Sequence, residues 1–338
     1  MLVFGVPIVR TVGPRVHVAG FGPSAGQVVH TQATIRPARH TRPVRVGVVF
    51  PQLESGTDVG ALREYLQAIE QLGYVHLVAY DHVLGADSST RPDWKGPYDQ
   101  RSTFHEPFVF FGFAAAITRL ELAPAVIVLP QRQTALVAKQ AAEVDVLANG
   151  RTRLGVGLGW NTVEYEALDA SFRNKNRRIE EQIAVMRRLW TEPVVDFTGR
   201  WHRIDRAGLN PMPVQRPIPV WMGGTADDAL ERIARIGDGW FTQFQPNDTG
   251  RAAFEKFRGY VRDAGRDAQT FPIEGRVSVA RLAGPDEWVS TGLGFRDMGC
   301  THVEINTMGA GYADLGAHLK AVERFRRDGA ELFTASSR

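Results

Sequence analysis

From residue 44 onward, short apolar runs alternate with longer stretches of helical period. Val44-Arg45-Val46-Gly47-Val48-Val49-Phe50 is β-branched and too short for a helix, so it reads as a buried strand. Asp58 to Gly73 repeats with the helical period, with Asp58 placed to cap its start and Gly73 its end. The same reading predicts further strands over 75–80, 122–129, 153–158, 220–222, 240–244, 276–280 and 302–306. It predicts further helices over 107–118, 134–147, 174–190, 226–236, 249–264, 285–298 and 312–326. The strand runs are nearly continuous in apolar character, as expected of strands covered on both faces. Strands that alternate with helices pair in parallel, because parallel neighbours need a crossover between them. Eight such units closing on themselves give an α/β fold of the (β/α)₈ TIM-barrel type. The competing open, doubly wound sheet usually has about five or six strands.

Three segments stand outside this rhythm. Residues 83–104 form a long loop rich in Pro, Asp, Ser and Gly. A loop of this length in a compact domain is usually functional, so it is expected to be a lid over an active site. Residues 194–204 suggest a hairpin, with Thr198-Gly199-Arg200 at its turn. Residues 1–43 show no period and are expected to be a disordered leader; Pro7, Gly13 and Pro14 deny them the apolar core of a secretory signal. The barrel is expected as a single domain over 44–330, with 331–338 as a tail.

Composition narrows the function. Forty Lys and Arg against 37 Asp and Glu leave a net charge of +3, too balanced for a nucleic-acid footprint. No run approaches the roughly 18 apolar residues that span a bilayer. The single cysteine, Cys300, rules out a disulfide framework within the chain and fits a cytoplasmic location. It precedes an apolar strand and is expected to be a buried structural thiol.

In a barrel of this kind the chemistry sits at the C-terminal ends of the strands. Those ends carry Pro51-Gln52, Asp81-His82, Pro130-Gln131-Arg132, Gly155 to Asn161, Gly223-Gly224-Thr225, Gln243 with Gln245, and Asn306. Asp81-His82 is the most chemical pair: histidine moves a proton near neutral pH, and a carboxylate can orient its ring. Gly223-Gly224 runs straight into a helix near Ala226, where open N–H groups and the helix dipole favour an anion; a tight turn that needs glycine would look the same. Trp94, Tyr98, Phe104, Trp160 and Trp240 could wall a ligand pocket or fill the core. There is no ligand spacing for a metal and no Gly-x-Ser-x-Gly elbow.

Several of these stretches, in this order, resemble the luciferase-like monooxygenase superfamily and its branch dependent on the deazaflavin coenzyme F420. They are Tyr74 to His82, Leu129 to Asp145, Gly150 to Asn161, and Pro213 to Gly224 with Ala234 to Phe241. The resemblance covers about Val44 to Arg326. It implies a bacterial-luciferase-like barrel with insertions in the βα loops, and hydride transfer between F420 and a small organic substrate. Asp81 would contact the cofactor ring, and His82 would act on the substrate as acid or base. A bulge at Ala125, Val126 and Val128 would back the ring, with a non-prolyl cis bond at Ala125–Val126. Leu158, Gly159, Gly223 and Gly224 would hold the ribityl and phosphate portions, with Ala226 and Asp227 beside them. Trp160 stands where some relatives carry a glutamate, which leaves Glu164 as the nearby candidate acid. The lid and the 194–204 insertion would set the substrate.

The alternatives are an FMN-dependent monooxygenase fed reduced flavin by a partner reductase, a non-catalytic flavin- or deazaflavin-binding barrel, and a hydrolase or isomerase without a redox cofactor. A homodimer is expected from the same resemblance.

Overall fold

The computed structural model describes residues 44–333. The expected leader over 1–43 and the tail beyond Phe333 lie outside the described residues. The first barrel unit is β1 (Arg45–Val49), α1 (Val59–Gln71) and β2 (His76–Ala79). Then come α2 (Pro107–Ile117), β3 (Glu121–Pro124), β4 (Ile127–Val128), α3 (Thr134–Leu147) and β5 (Leu154–Gly157). After α4 (Thr162–Ala167) and α5 (Lys175–Thr191), β6 (Val195–Thr198) and β7 (Arg203–Ala207) form an antiparallel hairpin. The chain continues through β8 (Val220–Gly223), α6 (Asp227–Ile236), β9 (Gly239–Phe241), α7 (Asp248–Asp263) and β10 (Ile273–Ser278). It closes with α8 (Pro285–Asp297), β11 (His302–Asn306), α9 (Leu315–Asp328) and α10 (Ala330–Phe333).

Nine strands pair in parallel in the order β3-β2-β1-β11-β10-β9-β8-β5-β4. β3 and β4 are the halves of one barrel strand and occupy the two ends of that order. Leu122 of β3 bridges Thr152, just ahead of β5, so the ends meet and the barrel has eight positions. The Ala125–Val126 peptide between the halves is cis, as the resemblance implied.

Local chemistry explains the elements. Asp58 Oδ1 accepts from the N–H groups of Gly60 (2.8 Å) and Ala61 (3.2 Å), capping α1. Leu62, Tyr65, Leu66 and Ile69, at helical spacing, are its buried face. Gly73 follows the helix at φ +86°, a conformation that glycine adopts without strain. The packed chain runs past the expected end at 330. Leu332 and Phe333 are buried, and Phe333 packs edge-on against Tyr74 at 5.2 Å.

The strands differ from the expected continuous apolar runs. Their outer faces join the helices in the main core. Their lumen faces are polar near the N-terminal ends: Arg45, His76, Glu121, Arg153, Glu274 and His302 gather there. Arg45 pairs with Glu121 at 2.6 Å, Arg153 pairs with both Glu121 and Glu274, and Glu274 meets His76 Nε2 at 2.6 Å. Pairing makes this burial tolerable, since an isolated buried charge is very costly. Next to this network Val49, Val78, Ala123, Trp221 and Phe241 form an apolar set, with Arg153 4.3 Å over the Trp221 ring. Tyr80, Ala125 and Val126 pack against that set.

Candidate active site

A cavity of about 380 Å³ opens where the strands end. Its walls come from Tyr80-Asp81-His82 after β2, the bulge at Ala125, Val126 and Val128, and Gly157 to Trp160 with Glu164 after β5. Gly223-Gly224, Thr242-Gln243, Arg276 of β10 and Tyr98 of the lid complete it. The volume lies in the range of small-molecule sites.

His82 is the centre of an aromatic cluster. Its ring packs against Tyr98 (5.1 Å), Phe104 (4.7 Å) and Trp160 (5.6 Å), and Trp94 packs on Trp160 at 5.6 Å. Three of the five aromatics considered for the pocket therefore pack on His82, and a fourth, Trp94, backs Trp160. The fifth, Trp240, is core, packed on Phe254 and Phe257. His82 Nδ1 lies 3.5 Å from Glu164 Oε2. Glu164 is buried in α4, a helix absent from the predicted elements and capped by Asn161. Its other oxygen accepts from the N–H groups of Val83 and Leu84. Burial raises the Glu164 carboxyl, but the His82 contact and the two N–H donors outweigh it, so it stays below its ordinary value.

Asp81 also lines the cavity, but both of its oxygens are engaged by protein. Arg132 forks onto it at 2.6 and 3.2 Å, and the Val128 N–H donates at 3.0 Å. Arg132 reaches on to Glu106, the cap of α2, at 3.1 Å. Burial raises the Asp81 carboxyl above its ordinary value, against the pull of Arg132 and Val128. This carboxylate fastens the bulge to the end of β2.

The glycine run after β5 has a packing cause. A Cβ at Gly157 would lie 2.4 Å from Val126, and one at Gly159, at φ +64°, would lie 2.4 Å from Val128. Glycine lets this strand end press against the bulge. Gly223 differs: a Cβ there would meet only Val126, at 3.7 Å, and otherwise enter the cavity. α6 begins three residues after Gly224, at Asp227, with no side-chain cap at Ala226. Ala226 and Asp227 stand outside the cavity lining, and the Asp227 carboxylate is turned to Lys256 at 2.6 Å. The smooth aliphatic bulge and the bare glycine backbone fit a planar ring with a polar tail.

Other expectations need correction. None of residues 194–207 lines the cavity. Glu181 of α5 accepts from the N–H groups of Arg200, Trp201 and His202, which ties the hairpin turn to the outer helices. Gln243 reaches the cavity, whereas Gln245 and Asn306 do not line it. Gln52 and Gln131 are buried away from it. Cys300 is buried, and burial pushes its thiol up. Tyr80 and Arg276 were missed from the sequence. The signal available was period two in Ile273-Glu274-Gly275-Arg276, where charged residues alternate with apolar ones.

Comparison with known proteins places this arrangement. The family model for luciferase-like monooxygenases matches residues 32–288. An F420-dependent hydroxymycolic acid dehydrogenase of Mycobacterium tuberculosis is 28% identical over 247 residues, 72% of this chain and 64% of that protein. An FMNH(2)-dependent dimethylsulfone monooxygenase of Pseudomonas fluorescens is 30% identical over 217 residues, 63% of this chain and 56% of that protein. Among solved structures, an F420-dependent secondary alcohol dehydrogenase shares the fold at a TM-score of 0.69 and 16% identity, covering 85% of this chain and 99% of that one.

Proposed function

Because this chain belongs to the luciferase-like monooxygenase family, we propose that it is an F420-dependent oxidoreductase acting on a small organic substrate at the mouth of the barrel. The observation that carries this reading is the His82–Glu164 pair, set in an aromatic wall of the same cavity that the bulge and the glycines shape. The bulge at Ala125, Val126 and Val128 would back the cofactor ring, and the backbone of Leu158-Gly159 and Gly223-Gly224 would hold its tail. When bound, the deazaflavin supplies the carbon that takes or gives the hydride.

The chain's own part is to handle the proton. Glu164, ionised at neutral pH, favours a proton on Nδ1 of His82. That leaves Nε2 free to accept the proton of a substrate hydroxyl, or to return it in the reverse direction. Tyr98, Phe104 and Trp160 shield the imidazole from bulk water. Asp81 holds the bulge and does not itself need to move a proton.

A second reading, an FMN-dependent monooxygenase, is favoured by the likeness to the dimethylsulfone enzyme. Fluorescence titrations of the purified protein with F420 and with FMN separate the two. Tight F420 binding with weak FMN binding is expected. The reverse preference selects the monooxygenase reading, and binding of neither removes both.

A further inference from the structure

Arg276 and Glu304 face one another across β10 and β11 and point into the lumen beneath the cavity. Arg276 Nε donates to Glu304 Oε1, and the guanidinium carbon lies 4.9 Å over the Tyr80 ring. The Glu304 side chain is 1% exposed, whereas that of Arg276 is 28% exposed and forms part of the cavity wall. Arginine carries five N–H donors in one plane. Only Nε of Arg276 has a protein acceptor among the described residues. The other charged groups on the wall are occupied: Asp81 by Arg132 and Val128, and Glu164 by His82, Val83 and Leu84. Arg276 thus presents a cation with open donors, held in plane by a buried carboxylate, in a pocket whose other walls are largely aromatic, aliphatic and glycine.

We propose that Arg276 anchors the substrate, and that the substrate is a small organic acid whose carboxylate pairs with the guanidinium while its apolar body lies among Tyr80, Tyr98 and Phe241. A planar fork of donors matches a carboxylate in two-point fashion, which a lone ammonium does not. Tyr98 relates this anchor to the proton-handling group. Its ring packs on His82 at 5.1 Å, and the Arg276 charge acts on its hydroxyl. A molecule tethered at Arg276 and lying along Tyr98 extends toward His82. Glu304 is a positioning residue: it fixes the guanidinium without touching the ligand. The inference deepens the oxidoreductase reading and rests on it for the ligand's role as substrate.

The test uses benzoate and its neutral isostere benzamide, titrated calorimetrically into the purified full chain. Benzoate is expected to bind about tenfold more tightly or better, the scale of a charge-assisted pair. Arg276→Met should abolish that preference, and Arg276→Lys should keep part of it. Because Arg276→Met alone strands a buried carboxylate, Arg276→Met with Glu304→Gln serves as the neutral counterpart. Equal affinity for the two probes in the wild type, or no benzoate binding at millimolar concentration, overturns the proposal. So does a benzoate preference that survives in the double variant. F420 and FMN titrations of the same variants should be unchanged; a loss of cofactor affinity with probe binding intact would assign Arg276 to the cofactor instead. Failure of the wild type to bind either cofactor removes the oxidoreductase reading, while the benzoate preference still reports on the anchor.

Discussion

Two buried carboxylates flank this cavity and perform different tasks because their partners differ. Glu164 faces an imidazole and two backbone donors, so it orients His82 and remains ionised. Replacing His82 with Ala is expected to lower kcat by about 10²–10⁴ and leave cofactor binding nearly unchanged, which stopped-flow turnover beside titration will read. Unchanged turnover would instead mark a non-catalytic binding barrel. Glu164→Gln should lower kcat less than His82→Ala and displace the pH profile of the remaining activity; an unmoved profile counts against the orienting role. Asp81 faces a guanidinium and the bulge. Asp81→Asn removes the buried anion of Arg132, leaving it only the more exposed Glu106, and is expected to cost about 3 kcal/mol, measured by urea unfolding.

At the scale of elements, the lid is a built structure. Asp87 caps a short turn at Ser88–Thr90, Ser88 bonds Asp99 at 2.9 Å, and Trp94 Nε1 bonds the Tyr98 carbonyl at 3.2 Å. Its seat is Gly96, where a Cβ would come within 2.3 Å of Trp160 and 2.8 Å of Trp94. Gly96→Val should lift the lid from Trp160, raise KM and speed proteolytic cleavage within 83–104. Cleavage at the wild-type rate would show that the contact does not hold the loop. At the start of α1, Asp58→Ala removes the helix cap and should lower stability by about 1 kcal/mol without touching activity.

At the scale of the whole molecule, buried ionisable groups in the lumen and under α9 set the response to acid. Paired with Arg153 and His76, Glu274 is held well below its ordinary value despite burial. Its contribution is therefore present above the ordinary carboxylate range and is lost as pH falls. Burial holds His302 well below its ordinary value and lowers His318 to about 4. The unfolded chain takes up these protons near pH 6.5, where the folded chain refuses them, so stability falls as pH drops below about 6.5. Glu304, raised by burial to about 7, acts in the opposite sense and loses stability as pH rises through that value. His318→Asn should flatten the fall in urea midpoint between pH 6.5 and 4; an unchanged slope would exclude His318 as a contributor.

The barrel was legible because its signals are local. Apolar periodicity, the Asp58 cap and the glycine after α1 each act over a few residues, and eight units of strand and helix follow from them. The rule that strand ends carry the chemistry picked out Asp81, His82 and the glycines from sequence position alone. What folding alone decided concerns residues far apart in the chain. Trp160 and Trp240 are the same residue type, and only packing sends one to His82 and the other to the core. Glu164 meets His82 across 82 positions, in a helix too short for its period to register. The third strand reads as one run, yet it splits at Ala125–Val126, where β5 presses glycines against it. The charges at Arg153, Glu274, Arg276 and Glu304 look like solvated positions until the barrel closes, when each is held by a partner from another strand. A buried charge is tolerated only beside such a partner, and a single strand cannot specify which partner closure brings.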